Sequence, residues 1–404
     1  MKSYVTRQQV REINRKLFAN DLIYSEEDNK NTLETLLYDI IIKYDPTDKI
    51  AGVPTIIEIK EESLNKDLLE KINLLNTQAV IFQVNNKMLE DHDNIDIIQM
   101  LKADKFSIIV ELNKDDSMFT IAKILADYIK FDIQNIPDGM QNEVFTCKKL
   151  AYNVNTPEDF ALAETAHIDL YEGTYISPSS RLEIDDIKHS RVNFLELIAL
   201  INNSSTKLED VVKVIQRDSL ISAQLIRLSN SAYFGGRKRT ESIEKAVIRL
   251  GLENIKKWVF LLQFSTHNNE SDELIRQSYH KAIFCESIVK SARLKDISPS
   301  EAYLIGLFSL IDTLTGKPMD SEITKLHLTE VVEDALVYRE GIGGQLLNLI
   351  KAYEEGKWNK VDKYIATFKL NKDKIYRLYF NSLEAVTKLW KELTRLQEGS
   401  DKTK

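Results

Sequence analysis

Hydrophobic positions along this chain follow two periods, one in each half. In the first half, short β-branched or aromatic segments (Pro54–Lys60, Ala79–Asn85, Phe106–Leu112, Asp127–Ile133 and Ile168–Gly173) alternate with helical patterns. The clearest helical stripe is Leu33, Leu36, Leu37, Ile40, Ile41, spaced i, i+3, i+4, i+7, i+8. Asn31 with Glu34 forms a capping-box arrangement at its start. Pro46 ends it, because proline disfavours helical geometry in the residue before it. Repeated strand–helix units predict a parallel sheet covered on both faces, either open or closed into a barrel.

The second half has almost no alternating segments. Thr206 with Glu209 is expected to cap a helix whose stripe is Leu208, Val211, Val212 and Ile215. Asp218 starts the next, with Ile221, Leu225 and Leu228 on one face, and Gly235-Gly236 lets the chain turn. A third carries Ile243, Ala246, Val247 and Leu250 and stops at Gly251. Further helices are expected over Asn254–Phe264, His280–Ala292, Pro299–Leu314, Leu328–Tyr338, Gly344–Glu355 and Asp373–Leu396. This is the pattern of an all-α domain. Ser177-Pro178-Ser179-Ser180 and the charged stretch Arg181–Arg191 separate the halves. The expected organisation is a barrel-like unit over 1–180, a linker over 181–192, a helical domain over 193–397 and a disordered polar tail over 398–404.

Composition narrows the function. No run approaches the roughly 18 apolar residues of a membrane span, and MKSYVTRQQVREINRK lacks an apolar signal core. A cytoplasmic protein with no membrane partner is expected, with Cys147 and Cys285 as separate buried thiols. A net charge of −8 opposes nucleic-acid binding, and the basic run Arg237-Lys238-Arg239 is followed by Glu241 and Glu244, which repel phosphates. His92-Asp93 lies in the polar run Glu90–Asn94 and reads as coincidence. His267, His280 and His327 show neither i, i+4 spacing nor an adjacent aspartate. Ser229 and Ser231 read as helix-end hydrogen-bonding groups, and Trp258 and Trp358 as packing residues. No metal and no cofactor follow from these residues.

The segments Arg217-Asp218-Ser219-Leu220, Leu225–Ala232, Ser242-Ile243, Ala246-Val247 and Leu250-Gly251 resemble the HDOD domain. That family is built on the helical scaffold of HD metal phosphohydrolases without its metal ligands. Gly306–Asp312, which contains no histidine, and Ala352–Trp358 are similar to the same group. As a whole the chain resembles two-domain bacterial proteins that join an EAL domain to an HDOD domain. The implied fold class is α/β plus all-α, an EAL-type (β/α) barrel followed by an all-helical HDOD domain.

The EAL resemblance covers Tyr4–Pro178. It implies a site for hydrolysing cyclic di-GMP, in which carboxylates and an amide at the C-terminal strand ends hold two divalent cations that activate water. A lysine, a general-base glutamate and a phosphate-binding arginine complete the pattern. Against it, Asp21-Leu22-Ile23 stands for Glu-Ala-Leu and Ser25 for the arginine. Glu58 stands near the ligand asparagine, Gln83 for a ligand glutamate and Glu111-Leu112 for the paired aspartates. Lys130 is kept within Lys130-Phe131-Asp132, Tyr152 replaces a glutamate, and Glu172-Gly173 replaces Gln-Gly. These changes remove anionic charge that two cations need, so the resemblance implies a degenerate site with no catalytic residues.

The expectation is a non-catalytic signalling or adaptor protein in a cyclic di-GMP-related bacterial pathway such as motility or biofilm formation. It would act on a partner protein through the turn Asn230, Ser231, Tyr233, Phe234 and Arg237. Self-association as a homodimer is a further expectation. The alternatives are a receptor that binds the cyclic dinucleotide weakly without cutting it, and a divergent phosphodiesterase. Lys130 is expected to pair with Asp21, Glu58 or Glu111. Asp21, Glu58, Glu111, Asp132 and Glu172 are expected to be solvated rim groups or partners of Lys130, with a single cation as the alternative.

Overall fold

A computed structural model describes residues 4–14, 16–24, 53–65, 77–114, 117–137, 146–173, 207–217, 219–230, 240–252, 269–326 and 328–401, with isolated positions between them. The expected helix over Leu33–Ile41 and the starts at Thr206 and Asp218 lie outside these residues.

Eight strands close into a barrel in chain order: β1 Val5–Glu12, β2 Leu17–Tyr24, β3 Thr55–Glu58, β4 Val80–Asn85, β5 Ser107–Glu111, β6 Tyr128–Asp132, β7 Lys148–Tyr152 and β8 Leu170–Glu172. From β2 to β8 each neighbouring pair is parallel. The expectation of an all-parallel sheet fails at β1, which runs antiparallel to both β2 and β8. The cause is connection length. Only a short loop joins β1 to β2, closed by Glu12 N–H donating to the Lys16 carbonyl at 2.8 Å, and a parallel pairing needs a crossover of about a dozen residues.

Strand side chains alternate with period two, so inward positions form layers. One layer is apolar: Val10, Ala19, Ile56, Ile81, Ile109, Leu150 and Leu170, with Phe18 and Tyr128 against it. Each such buried side chain contributes about 1.5–3 kcal/mol. Outside the barrel lie α1 His92–Ala103, α2 Phe119–Leu125 and α3 Pro157–Thr165. Asp91 caps α1 and His92 is exposed at its first position, so the His-Asp pair is a helix start. Thr156 and Asp159 form a reciprocal capping box on α3, with Pro157 in its first turn.

Helices dominate the rest: α4 Leu208–Gln216, α5 Ser219–Ser229, α6 Ile243–Leu250, α7 Asn269–Ala292, α8 Pro299–Phe308, α9 Ile311–Thr315, α10 Met319–Ile323, α11 Glu330–Glu333, α12 Gly341–Glu354, α13 Trp358–Thr367 and α14 Lys372–Asp401. Lys207, rather than Thr206, occupies the cap position of α4 and makes no side-chain cap bond. The expected helix over Pro299–Leu314 breaks after Phe308, where the Ser309 hydroxyl bonds back to the Gly306 carbonyl at 2.8 Å. The last helix continues through Asp401, so the segment read as a disordered tail is helical over 398–401.

The chain packs as two compact units, one formed by Met1–Ser177 with Ala352–Asp362 and the other by Pro178–Lys351 with Lys363–Lys404. The helical domain expected over 193–397 is therefore interrupted by a segment that packs with the barrel unit. Trp358 stacks on Tyr4 at 5.2 Å and 13°, and Tyr353 meets the Tyr4 ring edge-on at 6.0 Å. Gln8 donates to the Glu354 carbonyl at 3.2 Å.

Candidate functional site

On the seven strands β2–β8, the inward position two residues beyond the apolar layer lies toward the C-terminal end of the strand. Ala19 leads to Asp21, Ile56 to Glu58, Ile81 to Gln83, Ile109 to Glu111, Tyr128 to Lys130, Leu150 to Tyr152 and Leu170 to Glu172. The register sets Glu58 beside Gln83 and Glu111 beside Lys130. A polar layer thus lies directly on the apolar one, at the end of the barrel where loops can build a site.

Lys130 is its centre. Its ammonium contacts Asp21 Oδ2 at 2.6 Å, Glu172 Oε2 at 2.8 Å and Gln83 Oε1 at 3.2 Å. An ammonium has three N–H donors and no acceptor, and here three oxygens meet it. The Gln83 amide then donates through Nε2 to Glu111 Oε2 at 2.9 Å. This amide orientation is the one that accepts from a cation and donates to an anion. Tyr152 hydrogen-bonds Glu111, and its ring lies 5.6 Å from the Lys130 ammonium.

Burial by itself would discharge Lys130, but Asp21 and Glu172 outweigh it and hold the ammonium above its ordinary range. Two carboxylates share that one cation. Burial pushes Glu172 up to about 7, with Asp21 adding to the rise and Lys130 opposing it. Burial raises Glu58, and Glu111 and Asp21 raise it further. Burial together with Glu111 and Asp132 pushes the Tyr152 hydroxyl up to about 12.

The structure therefore brings Asp21, Gln83, Glu111, Lys130, Tyr152 and Glu172 together, with Glu58 close enough to feel their charges. Of the partners expected for Lys130, Asp21 is the one that pairs with it, and Glu172 and Gln83 join it. Asp21 and Glu172 fall under the expectation of partners of Lys130, with side chains only 6% and 4% exposed. Asp132 stands apart, accepting from Gln134 N–H and from Asn153 Nδ2, each at 2.9 Å. Leu112 is buried, beyond the last residue of β5. Ser25 lies outside the described residues. Among the described residues no three His, Cys, Asp or Glu side chains are grouped to hold a metal ion.

In the helical unit, Asn230 faces its own chain. Its Nδ2 donates to the Thr240 carbonyl and its Oδ1 accepts from Thr240 N–H, both at 2.7 Å. Arg249 braces the same point, donating to the Ser229 carbonyl at 3.1 Å. Asn230 is a clasp across the ends of a loop rather than a residue offered outward. Phe234 is half-buried, and Ser231, Tyr233 and Arg237 of the same turn lie outside the described residues. His280 is buried, with its Nε2 2.9 Å from Ser382 Oγ, and the same hydroxyl reaches the Tyr379 carbonyl at 2.6 Å. A hydroxyl donating to that carbonyl receives its bond from the imidazole, so the pair is a core contact and not an activated nucleophile. Cys147 and Cys285 are buried free thiols. No helix among the described residues is long and apolar enough to cross a membrane.

The HDOD domain family matches residues 191–333. Protein YuxH of Bacillus subtilis is 27% identical over 239 residues, covering 58% of this chain and 58% of that protein. The cyclic di-GMP phosphodiesterase CdgJ of Vibrio cholerae is 25% identical over 216 residues, covering 53% of this chain and 50% of that protein. The aligned stretch thus spans about half the length of these relatives. Among solved structures, the EAL domain of Mycobacterium smegmatis DcpA is similar to 42% of this chain over 90% of its own length, at 13% identity and a TM-score of 0.34. A putative metal-dependent phosphohydrolase from Shewanella amazonensis is similar to 48% of this chain over 90% of its own, at 15% identity and a TM-score of 0.32. The fold of this chain is a closed eight-stranded barrel and a helical unit, and residues 191–333 match the HDOD domain family.

Proposed function

We propose that the barrel of this chain is a degenerate EAL site that does not hydrolyse cyclic di-GMP, and that the protein regulates a partner protein in a cyclic di-GMP-related pathway. One observation carries the reading: the ammonium of Lys130 is ion-paired with both Asp21 and Glu172 and hydrogen-bonds Asp21 and Gln83. A lysine whose charge is already balanced by two carboxylates is a poor partner for a substrate phosphate. The carboxylates are spent as well, Asp21 and Glu172 on Lys130, and Glu111 on Gln83 and Tyr152.

The residues present do not fit a two-cation centre. A divalent ion about 4 Å from the ammonium is repelled by about 8 kcal/mol at an effective dielectric of about 20, and the polar layer offers it no uncommitted pair of carboxylates. The positions Asp21, Ser25, Glu58, Gln83, Glu111, Leu112, Lys130, Asp132, Tyr152 and Glu172 are read as vestiges of that centre. The HDOD match over 191–333 supports a regulatory role, and the relative CdgJ, which carries the name of a cyclic di-GMP phosphodiesterase, supports the pathway.

The test is overnight incubation of the full chain with cyclic di-GMP and magnesium or manganese, followed by analysis for the linear dinucleotide and by calorimetry. Intact nucleotide without heat is the expected result. Heat without cleavage assigns a receptor in place of a silent barrel. Efficient turnover overturns the reading.

A further inference from the structure

The helical unit holds a second place where charge is concentrated. Helices α7 and α14 pack antiparallel: the Arg276 guanidinium lies 5.5 Å from the Trp390 ring, and His280 meets Ser382. The end of α7 is thereby brought to the beginning of α14, and a cavity of about 310 Å³ opens there, lined by Ser291, Lys369, Asn371, Asp373, Lys374 and Arg377. In a chain of net charge −8, the segment Lys369–Arg377 carries Lys369, Lys372, Lys374 and Arg377 against the single acid Asp373.

The cations lining the cavity are available. Lys369, Lys374 and Arg377 are exposed, and none of the three makes an ion pair among the described residues. Asp373 makes an interaction of its own, and its Oδ1 is buried without a hydrogen-bond partner, so a ligand here also meets one acceptor that calls for a donor. Asn371 is committed through Oδ1 to the Lys374 N–H at 2.8 Å, capping the start of α14. On the opposite wall the Ser291 hydroxyl oxygen is buried and has no hydrogen-bond partner. A buried hydroxyl is normally satisfied, so this donor lacks an acceptor that a ligand inside the cavity would supply.

We propose that this cavity binds the phosphate group of a small phosphate monoester. Lys374 and Arg377, three residues apart, share one face of α14. A guanidinium and two ammonium groups match a dianion with several acceptor oxygens, the guanidinium by parallel hydrogen bonds to two of them. Ser291 donates to a further oxygen. The volume lies at the small end of ligand pockets, about 300–1,000 Å³, which suits a compact phosphorylated metabolite. The site belongs to the helical unit and does not depend on the state of the barrel.

The experiment is calorimetric titration of the full chain with inorganic phosphate and with glycerol 3-phosphate, at ionic strength matched with chloride, with glycerol as the uncharged control. Saturable binding of both anions at about millimolar affinity or better is expected. Lys374→Ala with Arg377→Ala weakens it by about tenfold or more. Ser291→Ala weakens it by about threefold with unchanged thermal stability, because its hydroxyl holds no partner in the free protein. Absence of saturable heat overturns the proposal. So does equal affinity in the double variant, or glycerol 3-phosphate failing where inorganic phosphate binds.

Discussion

Replacing Lys130 by methionine probes the polar layer at its centre. Methionine keeps most of the side-chain length and removes the charge, so Asp21 and Glu172 lose the cation that each contacts within 2.8 Å while both stay buried. Removing one partner of a buried ion pair costs about 3–5 kcal/mol, a large part of the roughly 5–15 kcal/mol that holds a domain folded. With a urea dependence of about 2 kcal/mol per M, the midpoint falls by about 2 M. The loss carries a pH signature. Without the ammonium, burial acts on Glu172 unopposed, and its folded-state pKa rises further above the unfolded one. A group raised in this way keeps its stability below the unfolded pKa and loses it as pH climbs through the folded value. Glu172 already lies at about 7 with the lysine present. The deficit of Lys130→Met is therefore smallest near pH 4.5, the ordinary value of a glutamate, and largest at about pH 8. Urea unfolding followed by Trp358 fluorescence, in a background with Trp258 and Trp390 changed to phenylalanine, reads the barrel unit, because Trp358 stacks on Tyr4. A variant as stable as its parent at the alkaline end, or one whose deficit does not shrink at the acid end, refutes the argument.

Other perturbations follow from the same contacts. Glu172→Gln removes a carboxylate raised from 4.5 to about 7. The parent loses stability as pH rises through that window, so the variant gains thermal stability above it and none below 4.5, as scanning calorimetry against pH will show. Gln83→Glu sets a carboxylate where the amide donated to Glu111 at 2.9 Å. It lowers stability by about 1–3 kcal/mol at alkaline pH, and the incubation assay shows no gain in cyclic di-GMP cleavage. Asn230→Ala deletes two hydrogen bonds of 2.7 Å that close the loop to Thr240. It costs about 2 kcal/mol in urea unfolding, with faster amide exchange at Thr240, whose N–H loses its acceptor.

Strands whose outward faces are apolar were legible without coordinates. β3, β4, β5 and β6 pair inward residues such as Ile56 and Ile81 with buried outward ones such as Ile57 and Phe82, giving the near-continuous apolar runs of a covered sheet. β1, β2 and β7 escaped because polar residues interrupt them: VTRQQVRE, the Asn20-Asp21 pair inside β2, and the two lysines that open β7. The residues that meet at the barrel mouth were also legible one by one. Their pairing was not, because sequence order cannot say which side chains meet across a closed barrel of eight strands. The two-residue step from Leu170 to Glu172 was the signal available for placing Glu172 in the Lys130 layer.

Seen across the barrel, the polar residues at the strand ends act as one arrangement. An internal ammonium supplies positive charge among the carboxylates, and a neutral amide at Gln83 links it to Glu111 by accepting on one side and donating on the other. An ionised glutamate at 83 could accept from Lys130 but could not donate to Glu111. Placing a carboxylate at 83 therefore adds repulsion within the layer. As long as Lys130 stays paired with both Asp21 and Glu172, changing any one other neighbour leaves the ammonium in place to repel an incoming cation.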